Sequence, residues 1–323
     1  MVRYFIATLL FFAVAVTSQS TWSSDDEFCY QGDDCGPSSP KWAGECQTGA
    51  RQSPIDFKYP LVRKPGKVVD LSFETAGYQA ASGFWVQNNG HTIQVSLTEE
   101  LRSEGAMWGY GMEGTKYIFA QIHFHWGEVD DGSEHTVAGK HWPVELHLVH
   151  YDQKYGSFAN AASSGDPKGL SVLGVFLSAG SEFDENLAFD TIADHLPLSY
   201  QDHPEHITTS GLDLTSLLPK EGAPFFRYMG SLTTPNCTEA VEWTVLLDPI
   251  PVKPSEIKKF HDVLDHAGVP MGLNFRPVQP LGDRVVEFLV RGADQTRTGG
   301  VSRPTAASMG LLFCTILHFL WSN

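Results

Sequence analysis

Short runs of alternating apolar and polar residues dominate the chain. They are rich in Val, Ile, Phe, Leu and Trp, are separated by Gly, Asn and Asp, and span residues 84–97, 116–128, 141–152, 170–180 and 240–250. Successive side chains of a β-strand point to opposite faces of a sheet, so this period of two predicts strands. The composition of the runs and the turn residues between them favour one large, mostly antiparallel sheet.

Helical patterns are few and short. One covers residues 184–196 and another covers residues 254–267, where Ser255 is the expected N-cap. No internal repeat or heptad pattern occurs between the two ends of the chain. We therefore predict a mainly β protein with peripheral helices, of the α+β class, built as a single domain over residues 21–292.

Composition narrows the class of protein. The chain has 323 residues, of which 42% are hydrophobic, so it can bury a large core and is not mainly disordered. The formal net charge is -16. No clustered Lys and Arg are present for phosphate recognition, so a nucleic-acid partner is excluded.

Both ends carry processing signals. Residues 1–20 place Arg3 ahead of an apolar run that ends in small and polar residues, which is typical of a cleaved secretory signal peptide. An uncleaved membrane anchor is the alternative.

At the other end, Gly299 and Gly300 precede a polar spacer and a terminal apolar tail, the order typical of a glycosylphosphatidylinositol (GPI) signal. Residues 293–300 are then a stalk to the anchor site and residues 301–323 a removed propeptide, although a short membrane span or a docked amphipathic helix would also explain the tail.

The cysteines agree with a secreted protein. Loss of the tail removes Cys314 and leaves Cys29, Cys35, Cys46 and Cys237. An even number of cysteines is expected in an oxidising compartment. Four cysteines allow three pairings, and the residues alone leave all three open.

Two histidines interrupt a strand that should otherwise be apolar. Gln121, His123 and His125 share one face of this strand. In a later run, Glu145 and His147 likewise share a face. If the two strands are neighbours, three imidazoles meet, which is the ligand set of a catalytic zinc site with an open fourth position. Gln121 and Glu145 would hold the outer nitrogens of His123 and His147.

A hydroxyl and a carboxylate add to this cluster. Thr233 and Thr234 precede Pro235, and Glu134 lies in a turn between the two histidine strands. A threonine hydroxyl can accept a hydrogen bond from a metal-bound hydroxide if it directs its own proton to a carboxylate. Thr233 and Glu134 are the candidates for that relay.

The chain resembles the α-class carbonic anhydrases from about residue 23 to about residue 290. The motifs that carry the resemblance are QSPID (52–56), NNGH (88–91), QIHFHWG (121–127), SEHTV (133–137), ELHLVH (145–150), VLGVFL (172–177), SLTTP (231–235) and NFRPVQPL (274–281). The resemblance implies one domain around a twisted sheet of about ten mostly antiparallel strands. It also implies reversible hydration of carbon dioxide to bicarbonate by zinc-hydroxide attack.

The resemblance implies a role for each matching residue. One Zn2+ would be held by His123, His125 and His147, oriented by Gln121, Glu145 and the backbone carbonyl of Asn274. Thr233 and Glu134 would form the hydroxide-orienting relay, and His91 would be the proton shuttle. Substrate would contact Thr234 and an apolar wall, and proton-carrying waters would be ordered by three polar residues. The wall is Val149, Val172, Leu232, Val241 and Trp243, and the water-ordering residues are Tyr30, Asn89 and Gln94.

The cysteines resemble those of the membrane-anchored extracellular branch of the family. That resemblance implies a disulfide between Cys46 and Cys237, with Cys29 and Cys35 closing a small loop. Asn236 replaces a proline common in relatives and creates the only glycosylation sequon in the chain. We therefore predict a GPI-anchored or secreted enzyme that acts on carbon dioxide in extracellular pH regulation, with bicarbonate or proton transporters as candidate neighbours.

Two other classes of function compete with this prediction. An adhesion module on the same fold would be favoured by loss of a ligand histidine, and none is lost. A zinc peptidase would be favoured by an HExxH helix, which the sequence lacks.

Overall fold

A computed structural model of the protein describes residues 28–32, 34–58, 62–69, 71–73, 84–97, 106–109, 115–128, 131–207, 213–218 and 222–291. The helices are α1 (Glu45–Thr48), α2 (Phe158–Ala162), α3 (Leu187–Asp194) and α4 (Pro254–Lys259), with 3-10 helices at Gln153–Tyr155, Leu214–Leu217 and Phe260–Asp262. The strands are β1 (Asp56–Phe57), β2 (Val62–Val69), β3 (Leu71–Phe73), β4 (Phe84–Asn88), β5 (Ile93–Leu97), β6 (Ala106–Gly109), β7 (Tyr117–Trp126), β8 (Thr136–Val137), β9 (Val144–Asp152), β10 (Leu170–Ala179), β11 (Glu205–Ile207), β12 (Pro224–Gly230), β13 (Val241–Val252) and β14 (Val286–Arg291).

One large sheet organises the described part of the chain. Its main path runs β11-β4-β5-β7-β9-β10-β13-β12-β14-β2, and β3 and β6 branch from it at β7, which makes twelve strands. The β10·β13 and β14·β2 pairs are parallel, and the other pairs of this sheet are antiparallel. The predicted mainly β class with a large, mostly antiparallel sheet is confirmed, with two strands more than the ten expected.

Both faces of the central strands are buried. Ile122, Phe124 and Leu148 belong to one hydrophobic cluster, whereas Val149 and Val172 belong to a second. Residues 170–177 of β10 are buried without interruption. A strand covered on both faces needs no polar side, which is why this run looks uniformly apolar in the sequence.

The predicted helices are present but shorter than expected. Helix α3 begins after Asn186, whose side chain caps the helix by accepting a hydrogen bond from the Phe189 amide at 3.2 Å. The prediction of Ser255 as the N-cap of the other helix is wrong. Lys253 occupies that position, because Pro254 fits the first helical turn, and the Ser255 hydroxyl instead donates to Glu182 at 2.6 Å.

The amino-terminal segment is attached to the sheet by covalent and aromatic contacts. The structure contains the disulfides Cys29–Cys35 and Cys46–Cys237. Trp42 is fully buried between them, and its indole N–H donates to the Cys29 and Cys35 carbonyls at 2.9 and 3.1 Å. These contacts place the start of the domain beside the loop that carries Thr233.

Several predicted segments lie outside the described residues. They are the signal peptide at residues 1–20, the stalk at 293–300 with Gly299 and Gly300, and the propeptide at 301–323. The domain boundaries at 21 and 292 also fall there and stay predictions. Across the ranges that are described, none of the helices has the length and apolar character needed to cross a bilayer.

We expect Phe189→Ala to lower the free energy of unfolding by about 3–5 kcal/mol, the usual cost of removing a buried phenylalanine ring. Phe189 is fully buried, and its ring is stacked on that of Phe260 with 5.5 Å between centroids. Urea denaturation of the purified protein measures the change. Phe183→Ala is the matched control, because that ring is 92% exposed and its removal should change stability by less than about 0.5 kcal/mol. Equal effects of the two substitutions would contradict the assignment of the core.

Candidate active site

The pairing of β7 with β9 brings three histidines together. His123 lies directly opposite His147, and His125 lies opposite Glu145. A bulge between Phe119 and Gln121 shifts the register before this point. Because side chains two residues apart share a face, all three imidazoles point to the same side of the sheet.

Each imidazole donates its outer N–H to a separate acceptor. The pairs are His123 Nδ1 with Gln121 Oε1 at 3.0 Å, His125 Nδ1 with Asn274 O at 2.8 Å and His147 Nε2 with Glu145 Oε1 at 2.8 Å. A neutral imidazole has one N–H, so the nitrogen on the other side of each ring carries a lone pair. The three acceptors therefore leave the lone pairs of the three inner nitrogens available to one metal ion.

The three inner nitrogens converge on one point. His147 Nδ1 lies 3.2 Å from His123 Nε2 and 3.1 Å from His125 Nε2. A tetrahedral zinc ion with bonds of about 2.0–2.1 Å holds its nitrogen ligands about 3.3 Å apart. Lone pairs that face one another at this distance repel unless a cation lies between them, so the residues fit zinc.

Burial favours the neutral forms of His123 and His125. Loss of solvent, together with the neighbouring imidazoles, lowers the pKa of His123 well below its usual range. Burial also lowers the pKa of His125, against the opposing effect of Glu134. Because only unprotonated imidazole binds a metal, both shifts favour binding.

A buried network behind His147 was missed by sequence reasoning. Glu145 also accepts from the His135 ring at 2.7 Å and from its backbone amide at 2.8 Å, and the other ring nitrogen of His135 lies 2.7 Å from the Tyr228 hydroxyl. That hydroxyl lies 2.8 Å from the Ser53 hydroxyl. Burial alone would raise the pKa of Glu145, but the two imidazoles outweigh it and hold the pKa well below its usual range. His135 lies within the SEHTV motif, and its polar ring in a buried stretch was the available signal.

Gly174 makes room for the Glu145 carboxylate. Gly174 lies on the neighbouring strand β10, where it pairs with His147 of β9, and a Cβ added there would lie 2.8 Å from Glu145 Oε1. Real Cβ atoms do not approach this closely, and the carboxylate cannot withdraw without losing its two imidazole partners. The sequence gives no sign of this requirement, because it depends on which strand lies beside β9.

Glu134 has one oxygen engaged and one without a partner. Its Oε1 accepts from the Arg276 amide at 2.8 Å, and its Oε2 is buried with no hydrogen bond within the described part of the chain. Thr233 is also buried, but no hydrogen bond joins its hydroxyl to this carboxylate among the described residues. Thr234 is half-buried beside it.

The predicted apolar wall forms one continuous patch. Val172 pairs with Val149 on one side and with Trp243 on the other, and Val241 lies on the same strand as Trp243. Leu232 is half-buried against this cluster. The Trp243 ring lies 4.7 Å from the His147 ring, between centroids, so the wall borders the histidines.

The predicted proton-transfer residues lie on β5, in the turn before β5 and in the amino-terminal segment. His91 is half-buried in a turn, and its backbone amide donates to the Asn89 side-chain oxygen at 3.0 Å. Gln94 pairs with His123 across β5 and β7, and its side chain is half-buried. Tyr30 is buried, and burial followed by the charge of Glu134 raises the pKa of its phenol well above its usual range.

Comparison with known proteins identifies the family. The family model for eukaryotic-type carbonic anhydrases matches residues 36–289. The chain belongs to the eukaryotic-type carbonic anhydrase family. This carbonic anhydrase hydrates carbon dioxide to bicarbonate, and its cofactor is zinc, as predicted.

Several curated relatives support the assignment. Carbonic anhydrase 6 of Homo sapiens is 38% identical over 245 residues, which cover 74% of this chain and 75% of the relative. Carbonic anhydrase 15 of Mus musculus is 35% identical over 288 residues, which cover 85% of each chain. Carbonic anhydrase 12 of Homo sapiens is 33% identical over 272 residues, which cover 81% of this chain and 73% of the relative.

The loop that carries Thr233 is tied to the amino-terminal segment of this carbonic anhydrase. Besides the Cys46–Cys237 disulfide, the Glu45 amide donates to the Asn236 carbonyl at 3.1 Å. The Gln52 side chain donates to the Cys237 carbonyl at 3.1 Å. Asn236 itself is exposed, whereas Cys237 at the middle of the sequon is buried in the disulfide.

Gly174→Ala should weaken zinc binding by about tenfold or more, the usual effect of disturbing a residue that orients a ligand. The added methyl group would displace the Glu145 carboxylate from His147. Competition with a chelator measures the affinity of the purified enzyme for zinc. Gly272→Ala is the control, because a Cβ there meets no atom closer than 3.7 Å, and it should leave zinc affinity unchanged. Wild-type affinity in Gly174→Ala would show that Glu145 has more freedom than its contacts indicate.

Proposed function

We propose that this carbonic anhydrase works on the extracellular side of the plasma membrane, at a zinc ion held by His123, His125 and His147, with His91 transferring protons. The observation that carries the proposal is the convergence of the three inner imidazole nitrogens, in which His147 Nδ1 lies 3.1–3.2 Å from the other two, while the outer nitrogen of each ring is bonded to an acceptor. When bound there, zinc acts as a Lewis acid that lowers the pKa of a coordinated water to about 7, a value for which carbonic anhydrase is the standard example.

Thr233 and Glu134 would orient the attacking water. Glu134 Oε2 is a buried acceptor without a partner among the described residues, and an ionised carboxylate can only accept. It is therefore suited to receive the hydroxyl proton of Thr233. The Thr233 oxygen would then accept a hydrogen bond from the water and direct the water's lone pair at the substrate.

Carbon dioxide would lie against the apolar wall. Carbon dioxide is uncharged and has no hydrogen-bond donor, so a surface such as Val149, Val172 and Trp243 can hold it without desolvating a polar group. Leu232 and Val241 extend that surface, and Thr234 would contact the substrate oxygen from the rim. Bicarbonate is charged, and the same wall would favour its release.

Regeneration of the active site requires that a proton leave. An imidazole has an ordinary pKa of about 6.5 and can take up and release a proton at neutral pH, which suits His91 to this task. Tyr30, Asn89 and Gln94 would order the water between His91 and the histidine cluster. The raised pKa of Tyr30 keeps its hydroxyl protonated, so it can donate to that water.

The extracellular location rests on the disulfides and the two ends of the chain. Disulfides such as Cys29–Cys35 and Cys46–Cys237 persist in oxidising compartments. The signal at residues 1–20 would direct export, and exchange of residues 301–323 for a GPI anchor at Gly299 or Gly300 would retain the enzyme at the membrane. There it could supply bicarbonate or protons to transporters.

We expect His147→Ala to lose both zinc and activity, and Thr233→Ala to keep zinc but hydrate carbon dioxide about a hundredfold more slowly. The first substitution removes a ligand, and the second removes only the group that orients the water. Stopped-flow hydration of carbon dioxide, with the zinc content of the same samples, tests both. Removal of zinc from the wild type by a chelator should abolish hydration, and added zinc should restore it.

His203→Ala is the matched control, because its imidazole is exposed before β11 at the far edge of the sheet. It should retain wild-type zinc content and rate. Zinc-loaded wild type without hydration above background would overturn the mechanism and favour a binding module. Full zinc content in His147→Ala would place the metal elsewhere.

Treatment of cells that express the full chain with phosphatidylinositol-specific phospholipase C should release the enzyme into the medium. Such release would show that the lipid anchor attaches the enzyme to the membrane. Activity in the medium before and after treatment measures the release. A chain that ends at residue 298 is the control and should be secreted without treatment. An enzyme that stays with the cells after treatment would favour a membrane-spanning tail.

A further inference from the structure

A second imidazole lies beside the proposed shuttle. The centroid of the His266 ring is 5.6 Å from that of the His91 ring, and the ring planes are inclined by 45°. His266 lies outside the motifs that identify the family and has no role in the mechanism described above. The inference that follows rests on the proposed function, because it requires that His91 carry protons.

Hydrogen bonds hold the two histidines next to each other. The Asn88 side chain donates to the Leu264 carbonyl at 2.9 Å and accepts from the Gly90 amide at 2.8 Å. It therefore joins the turn before His91 to the segment before His266. Gly90 permits the approach, because a Cβ at this position would lie only 3.1 Å from the Cβ of His266.

The turn that carries His266 is itself well bonded. Asp265 Oδ1 accepts from the amides of Ala267 and Val269 at 2.8 and 3.0 Å. Gly268 closes the turn with a φ of +76°, which is a left-handed conformation that favours glycine. His266 is therefore presented to His91 from a defined position, and the carboxylate beside it is engaged by backbone amides.

The polar atoms of His266 are suited to accept a proton. Its Nδ1 is buried and has no hydrogen-bond partner among the residues described, while the residue as a whole is half-buried and reaches the surface. Phe28 stacks on the His91 ring at 4.0 Å between centroids with an 8° inclination. A phenyl ring cannot take up a proton, whereas the neighbouring imidazole can.

We propose that His266 is an outer relay residue that takes the proton from His91 and passes it to solvent. An N–H bond of the His91 imidazolium breaks, and a new N–H bond forms on neutral His266, directly or through one bridging water. His266 then gives up the proton on its other ring nitrogen to a solvent or buffer base. Both rings return to their neutral forms, and no other reactant is consumed.

The test is the buffer dependence of His266→Phe, which keeps an aromatic ring but cannot transfer protons. In dilute buffer, kcat for carbon dioxide hydration should fall about fivefold, less than the roughly hundredfold loss of a whole acid-base group, because His91 can still reach buffer directly. In concentrated buffer kcat should recover. The ratio kcat/KM should not change, because hydration precedes this proton transfer.

Three controls separate a relay from other roles. His261→Phe makes the same change at another half-buried histidine five positions away and should keep wild-type buffer dependence. His91→Ala should be slow in dilute buffer. The double variant His91→Ala with His266→Phe should be no slower than His91→Ala, because the two residues act in series.

The outcomes that overturn the proposal are distinct. Wild-type kcat of His266→Phe in dilute buffer, together with a slow His91→Ala, would reject the relay and leave the shuttle. Normal kcat of His91→Ala would reject the shuttle and the relay with it. A slow His266→Ala with a normal His266→Phe would show that the ring acts only by packing. If the double variant is slower than His91→Ala by the full effect of His266→Phe, the two histidines transfer protons by independent routes and not in series.

Discussion

The buried carboxylate of Glu145 is the group on which the arrangement of the site depends. Its oxygens accept from the His147 ring and from the ring and backbone of His135. A buried carboxylate without such partners would be strongly destabilising, so β9 and the segment that carries His135 must stay in contact. Strand β10 is also constrained, because a side chain at Gly174 would collide with this carboxylate. One ligand orientation is thus maintained by three separate parts of the chain.

A second set of contacts controls the loop opposite the histidines. The disulfide to Cys46 is accompanied by backbone and side-chain hydrogen bonds from Glu45 and Gln52, so the loop that carries Thr233 is attached at several points. Arg276 links Glu134 to the same amino-terminal segment, because its guanidinium donates to the Ser53 carbonyl while its backbone amide donates to Glu134. The proposed metal ligands lie on the sheet, whereas the proposed water-orienting groups, Thr233 and Glu134, lie in loops that these contacts hold in place.

Local patterns predicted the parts of the fold and site that depend on nearby residues. The period of two placed His123 and His125 on one face, and it identified the strands around them. The sequence predicted that the three histidines meet only if the two strands are neighbours, because strand pairing is a long-range property that local patterns do not determine. The structure pairs His123 with His147. The Asn274 carbonyl lies 149 residues from its imidazole partner and was supplied only by family resemblance.

The remaining errors have equally physical causes. Ser255 was a reasonable cap by residue type, but Pro254 fixes the helix start and Glu182 takes the serine hydroxyl. The second helix was predicted to continue to residue 267, yet the Leu264 amide donates to the Leu198 carbonyl, which ends helical bonding. His135 and Gly174 were missed because their importance comes from one buried carboxylate.

The pairing of β2 with β14 has a consequence for how the protein is made. Within the described residues, β2 at Val62–Val69 pairs only with β14 at Val286–Arg291, near the opposite end of the domain. Synthesis therefore delivers an early strand whose partner emerges more than two hundred residues later, and contacts of such sequence separation form slowly. Until then β2 presents an unpaired edge to which other chains can add. The nascent domain therefore carries this unpaired edge until β14 is complete.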